Sequence, residues 1–331
     1  MIRPLLLILL LVQGACVGGA GKPAPAALDA AQKRLGSGVE HYQSQHYRDA
    51  YQQFVQALNQ YRLLDHPQGI VASSINIARV LHAVGNDDAA RRWLRKAREL
   101  NRQYQPPGRA QLAQHITLLE IATAMAHKQD NNDDATAQRL ENLISDSRDE
   151  DIRLAALQLR TRLAQQTGGD FIGWLQRYTK AVENREGAHR ARLLRFQAQA
   201  GDNGQRQDAL FARALAIYRE SANKTGIAAS LHEWAQLLYE RQRFEQAENL
   251  LRRALRIRLA MGDRKHSMAS LKTLHAVQQA AGRTQQAQTS AYWLAALSAE
   301  DFKQWQAAMQ ALDDYPTAPA EAVTDTEALA Q

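Results

Sequence analysis

The sequence predicts an all-α fold, an α-solenoid built from stacked antiparallel helix pairs. Three observations lead there. First, a block repeats: Gly69-Ile70-Val71-Ala72-Ser73 returns as Gly226-Ile227-Ala228-Ala229-Ser230, and Ala78, Leu81, Ala90, Leu94 and Ala97 then match Ala235, Leu238, Ala247, Leu251 and Ala254 at the same offset. Second, Ala50, Ala90, Ala247 and Ala287 fall on a period of about 40 residues, which signals an array of one supersecondary unit. Third, Ala, Leu, Gln and Arg dominate, all good helix formers, and no segment alternates β-branched and aromatic residues as a strand does. Apolar residues make up 45% of the 331-residue chain, enough to bury a substantial core. Domain counts based on length do not apply to such an array, because each repeat packs only on its neighbours.

The first 20 residues read as an address of the lipoprotein type. Arg3 gives a short positive start, and Leu5 to Val12 is an apolar run far short of the ~20 residues that span a bilayer. Small residues follow, Gly14, Ala15, Gly18, Gly19 and Ala20, as in a secretory signal. The single cysteine, Cys16, directly follows this region. Its position resembles the lipidated first residue of mature bacterial lipoproteins, although Gln13 stands where that family prefers an apolar residue. Cleavage after Ala20, discarding Cys16, is the alternative. In either case the mature chain has no disulfide. Residues 21–27 are Gly, Ala and Pro with one Lys, a flexible tether.

The helices follow in order. The first unit pairs a helix from Leu28 to about Gln45 with one from Tyr47 to Leu64, where Ala50, Phe54 and Ala57 form an apolar stripe at helical spacing. The second runs from Pro67, a good first helical residue, to Gln103, turning at Gly85-Asn86-Asp87. Pro106-Pro107-Gly108 interrupts the array. The two units of residues 108–184 are degenerate, with turns at Asn131-Asn132-Asp133-Asp134 and Gly168-Gly169-Asp170. The array resumes at Gly187, turns at Gly201-Asp202-Asn203-Gly204, and is most regular over Gly226 to Met261. A last unit spans His266 to Leu297, a capping helix Ala299 to Leu312, and residues 315–331 are too poor in apolar residues to fold alone. The expected organisation is therefore 1–20, 21–27, 28–103, 108–184, 187–312 and 315–331.

The unit Gly226–Met261 resembles a tetratricopeptide repeat of the longer kind. Ala235, Ala247, Leu251 and Ala254 stand where that family places small and large apolar residues. Ala78, Ala90, Leu94 and Ala97 repeat the pattern, as do Gly38, Ala50, Phe54 and Ala57. The resemblance implies a right-handed superhelix whose first helices line a concave groove that binds protein or peptide segments. Carried over unit by unit, groove positions are Asn76, Arg79 and His82; His189, Arg192 and Gln199; His232, Gln236 and Tyr239; and Lys272 and Gln279. The family's ordered set of Lys, Asn and Arg for a peptide C-terminus is not reproduced.

The net charge of +7 is uneven. Arg91, Arg92 and Arg95 head one basic stretch, and Arg252, Arg253 and Arg256 head a second on the equivalent helix. Each is a candidate basic surface for anionic lipid or polymer, or the solvated face of an amphipathic helix. Nucleic acid is excluded as a partner, because no recognition helix or zinc pattern is present. His232-Glu233-Trp234-Ala235-Gln236 lacks the second histidine of a zinc-protease helix. His41 and His46 are five residues apart, which puts them on different helix faces, so no metal site is expected. No phosphate loop or nucleophile elbow occurs, so neither catalytic residues, a cofactor nor a small-molecule substrate is expected. The expected function is a non-enzymatic scaffold of the bacterial envelope, membrane-tethered and probing partner segments with its groove. The alternatives are a polyanion-binding exported protein and an accessory activator of a cell-wall enzyme.

Overall fold

The structure is a computed structural model that describes residues 26–126 and 133–298. The signal with Cys16, the start of the tether, the expected capping helix and the tail lie outside the described residues. The chain divides into two compact units between Ala181 and Val182. The N-terminal unit contains α1 (Ala26–Gln43), α2 (Tyr47–Leu63), α3 (Pro67–Ala83), α4 (Asp87–Tyr104), α5 (Arg109–Met125), α6 (Asp133–Asp146), α7 (Glu150–Thr167) and α8 (Phe171–Ala181). The C-terminal unit contains α9 (Ala188–Ala200), α10 (Gly204–Glu220), α11 (Lys224–Glu240), α12 (Phe244–Ala260), α13 (Arg264–Ala280) and α14 (Thr284–Ser298). Within each unit every helix packs on the next, and no strand occurs among the described residues. This is the all-α, tetratricopeptide-like solenoid that the repeat implies. Ala26 and Ala27 belong to α1, not to the tether.

Two devices set the geometry of each hairpin. The first is the turn. A residue with positive φ recurs at a spacing of about 20 residues: Gln45, Asp65, Gly85 and Gln105, then Ala222, Gln242, Gly262 and Gly282. It ends one helix and aims the chain back. The next helix is then often capped by a side chain. Asn86 Oδ1 accepts from the Ala89 amide at 3.2 Å, Asn223 from Gly226 at 2.8 Å, and Asp263 from His266 at 3.1 Å. Such caps are worth about 1 kcal/mol each.

The second device is a small residue where helices cross. A Cβ on Gly69 would lie 2.3 Å from the Tyr61 ring, and one on Gly226 would lie 2.3 Å from the Tyr218 ring. Both rings are buried, so neither can swing away. An alanine at either position forces the paired helices apart. Gly38 makes the same kind of contact with Phe54.

The cores follow the repeat. Val71, Ile75, Ala78, Leu94 and Ala97 pack with Leu112 and Ile116 in the N-terminal unit. Their counterparts in the C-terminal unit include Ala235, Ala247, Leu251, Ala254 and Leu271. The degenerate segment has its own core, with Ile121, Leu140, Leu143, Ile152 and Ala156. There α5 packs on both α6 and α7, and α8 is short. Trp174 of α8 is buried between the guanidinium groups of Arg160 and Arg177, each 4.4 Å from its ring centre.

Candidate functional site

In the N-terminal unit, the face formed by the first helices of successive pairs carries Asn76 and Arg79, both buried, on α3. Arg79 Nη1 donates to Asn76 Oδ1 at 3.0 Å. Tyr42 at the end of α1 and His115 on α5 both feel the Arg79 charge. Burial raises the Tyr42 hydroxyl pKa and lowers that of Arg79. His115 is pulled down to about 4 by burial, with Arg79 repelling its proton and Asp149 partly opposing this. His82 is half-buried and faces Asp87, with Nδ1 and Oδ1 2.6 Å apart.

In the C-terminal unit the equivalent face is organised by ion pairs. Arg195 of α9 is buried and donates through Nε to Glu233 of α11 at 2.8 Å, with a second contact through its Nη2. Arg258 of α12 is buried as well, donating to the His266 carbonyl at 3.0 Å and to Ser270 Oγ. Burial lowers its pKa to about 10, against the attraction of Asp263 and Glu233. His232 is half-buried 3.4 Å from Ser270 Oγ, and burial and Arg258 lower it to about 3. His189 falls to about 4 through burial, with Arg192 and Arg185 adding to the effect.

The expected groove positions thus differ in access. Asn76 and Arg79 are buried; His82, His189, Arg192, Gln199, His232 and Tyr239 are half-buried; Gln236, Lys272 and Gln279 are exposed. Tyr239 lies against Phe244, ring centres 6.0 Å apart. The sequence reading missed Tyr42, His115, Arg195, Glu233 and Arg258. One signal was present for Glu233, which occupies the repeat position of Asn76.

The basic stretches are partly neutralised. Arg91 pairs with Asp88, Arg98 donates to Glu120 at 2.9 Å, and Arg252 donates to Glu248 at 3.0 Å. Arg92, Arg95, Arg253 and Arg256 are exposed. Trp234 stacks on Phe211 at 6.0 Å and donates to Asp208 at 2.6 Å.

One sequence expectation is corrected. The five-residue spacing does not keep His41 and His46 apart, because α1 ends at Gln43 and the turn at Gln45 intervenes. The reversal brings them together with Asp49, one ligand atom from each lying within 4.8 Å of the others. The trio offers a divalent ion three ligands at the surface, with His46 and Asp49 exposed. No helix among the described residues is long and apolar enough to cross a membrane.

Two segments, residues 71–104 and 227–262, match the family model described as tetratricopeptide repeat. They cover α3 with α4 and α11 with α12. No curated protein matches the chain. The two matches and the helical repeat architecture support a tetratricopeptide-repeat protein, and that family is typically a non-enzymatic scaffold. Such repeats suggest protein partners.

Proposed function

We propose that the chain is a protein–protein interaction scaffold of the bacterial cell envelope that holds partner segments against the face of its first helices. The pair of family matches carries this reading. The polar, exposed positions Gln236, Lys272 and Gln279 on α11 and α13 suit the contact, because they can donate to an extended backbone without first breaking a buried pair.

The test is capture of envelope proteins on the full chain at about 0.15 M and about 0.5 M salt. A groove-bound partner is expected to remain at the higher salt, where exposed charge pairing is screened within a few Å. It is expected to be lost from the combined variant Gln236→Ala, Lys272→Ala, Gln279→Ala. Retention by that variant sinks the groove reading. The exposed Arg92, Arg95, Arg253 and Arg256 favour a second reading, a polyanion surface, whose binding collapses with salt.

The envelope placement rests on the apolar run before Cys16. A diacylated cysteine inserts its chains at ~0.8 kcal/mol per buried methylene, ample for stable anchoring. Cys16→Ala is expected to move the protein from the membrane to the soluble fraction. A variant that stays in the membrane fraction rules out the lipid anchor.

A further inference from the structure

The turn between α1 and α2 is closed by two backbone hydrogen bonds. The His46 amide donates to the His41 carbonyl at 2.8 Å, and the Gln45 amide to the Tyr42 carbonyl at 3.0 Å. Gln45 between them is left-handed, with φ 60°. A helix end of this kind commonly sets an apolar contact between the two residues that its longer bond joins. Here both are imidazoles, and the ring centres lie 6.2 Å apart. Asp49, in the first turn of α2, completes a group in which one ligand atom from each residue lies within 4.8 Å of the others.

Other turns of the array show what these positions do elsewhere. Where the same bond joins Tyr61 to His66, the residue matching Asp49 is Gly69, and His66 Nδ1 caps α3 by accepting from the Gly69 amide at 3.1 Å. Where it joins Arg258 to Asp263, the matching residue is His266, and the acid and the imidazole bind each other at 2.8 Å. Neither use applies at the first turn. His46 stands at the start of α2 as His66 does at the start of α3, but makes no side-chain cap hydrogen bond. Its amide is engaged by the His41 carbonyl, so it is not the donor that an acid three residues on accepts from in a capping box. The helix dipole favours an acid at Asp49, but it gives no reason for two imidazoles beside it.

Two imidazole nitrogens and one carboxylate oxygen are a donor set for Zn²⁺ and ions like it. Calcium and magnesium take oxygen ligands, of which a single aspartate supplies too few. In a tetrahedral site with bonds of about 2.1 Å, ligand atoms stand about 3.4 Å apart. The backbone bond already fixes His41 against His46, and His46 and Asp49 are exposed while His41 is half-buried. Side-chain rotation therefore closes the remaining gap with no movement of the helices.

We propose that the α1–α2 turn binds one zinc-like divalent ion through His41, His46 and Asp49, leaving the fourth tetrahedral position to water or to a donor group of another molecule. The ion ties the end of α1 to the start of α2, so its binding adds to the stability of the N-terminal unit. The inference does not rest on the groove reading. None of the three residues is a groove position, so the two fail separately.

The test titrates zinc chloride into the full chain at about pH 7.5, where imidazole ligands are neutral. Binding is read from the histidine ring resonances and from the melting temperature. The His41 and His46 resonances are expected to shift together and to saturate with one ion, and the melting temperature to rise. Magnesium chloride at the same concentration is expected to change neither. Asp49→Asn and His46→Ala are each expected to weaken zinc about tenfold or more, while Asp49→His, which keeps three ligands, retains it. Both positions are exposed, so the zinc-free variants are expected to melt with the wild type and to differ from it only in the gain on adding zinc. The proposal is overturned if the two resonances do not saturate together below about 0.1 mM zinc. It is equally overturned if Asp49→Asn and His46→Ala bind as the wild type does, or if magnesium produces the same shifts.

Discussion

Glu248→Ala is expected to destabilise the C-terminal unit by about 3 kcal/mol. Glu248 lies in α12 and is only 4% exposed. Its carboxylate accepts from Gln278 of α13 at 2.9 Å, from Arg252 at 3.0 Å, and from Arg283 in the turn before α14. Gln278 in turn accepts from Ser290 of α14 at 2.7 Å. One carboxylate therefore ties three helices together. Burial alone would raise its pKa, but the hydrogen bonds from Gln278, Arg252 and Arg283 outweigh this and hold it below the usual range. Removing it leaves the Gln278 amide buried and unpaired. Arg252 and Arg283 are partly exposed, at 25% and 37%, and rehydrate. That places the loss at the lower end of the range for a broken buried pair. Urea unfolding followed by the fluorescence of a chain that keeps only Trp234 measures it. A loss below about 1 kcal/mol means the network is not cooperative. An Arg283→Ala variant is expected to lose much less, because its guanidinium is the most solvated member.

The helices were readable because their apolar spacing repeats, and Ala50, Ala90 and Ala247, each 0% exposed, sit where that spacing puts them. The turns were only half readable. Gly85, Gly262 and Gly282 mark themselves, but Gln45, Asp65, Ala222 and Gln242 adopt the same left-handed conformation with φ of 60°, 44°, 48° and 59°. A side chain there costs about 1–2 kcal/mol, so local preference argues against these turns. Packing of the flanking helices, with Tyr61 against Gly69 and Tyr218 against Gly226, overrides it. The break between Gln45 and Tyr47 was legible, but not the left-handed turn at Gln45 that brings His41, His46 and Asp49 together. Polar residues on the first-helix face were harder still. Periodicity places Glu233 and Arg195 on a face, and it cannot say that two side chains one repeat apart close on each other in a buried pair. Nor can it say that Asn76 leaves Arg79 without an acid.

Acid is expected to unfold the C-terminal unit before the N-terminal one. His189 and His232 titrate at about 4 and about 3 in the folded C-terminal unit, and His115 at about 4 in the N-terminal unit. Burial is the main cause in each case, and neighbouring arginines strengthen it. An unfolded histidine titrates near 6.5. Between these values the unfolded chain binds more protons than the folded one, so stability falls as pH falls. The contribution is fully present above pH 6.5, declines below it, and is gone at about pH 4 for His115 and His189 and about pH 3 for His232. The shifts correspond to roughly 3 kcal/mol for His115 and for His189 and roughly 5 kcal/mol for His232, and the C-terminal unit carries two of the three. Glu248 acts in the same direction only further down, because its depressed carboxyl must protonate. The measurement is urea unfolding at about pH 7.5, 6.0, 5.0 and 4.5, on chains that keep only Trp174 to report the N-terminal unit or only Trp234 to report the C-terminal. A His189→Asn, His232→Asn chain is expected to keep its C-terminal stability between pH 6.5 and 4.5. Equal stability of the wild-type chain at pH 7.5 and 4.5 would show that these imidazoles are hydrated in solution. The repeat face would then carry protons on His115 and His232 beside its arginines, and its charge would rise exactly where the neutral imidazoles now confine it to the guanidinium groups.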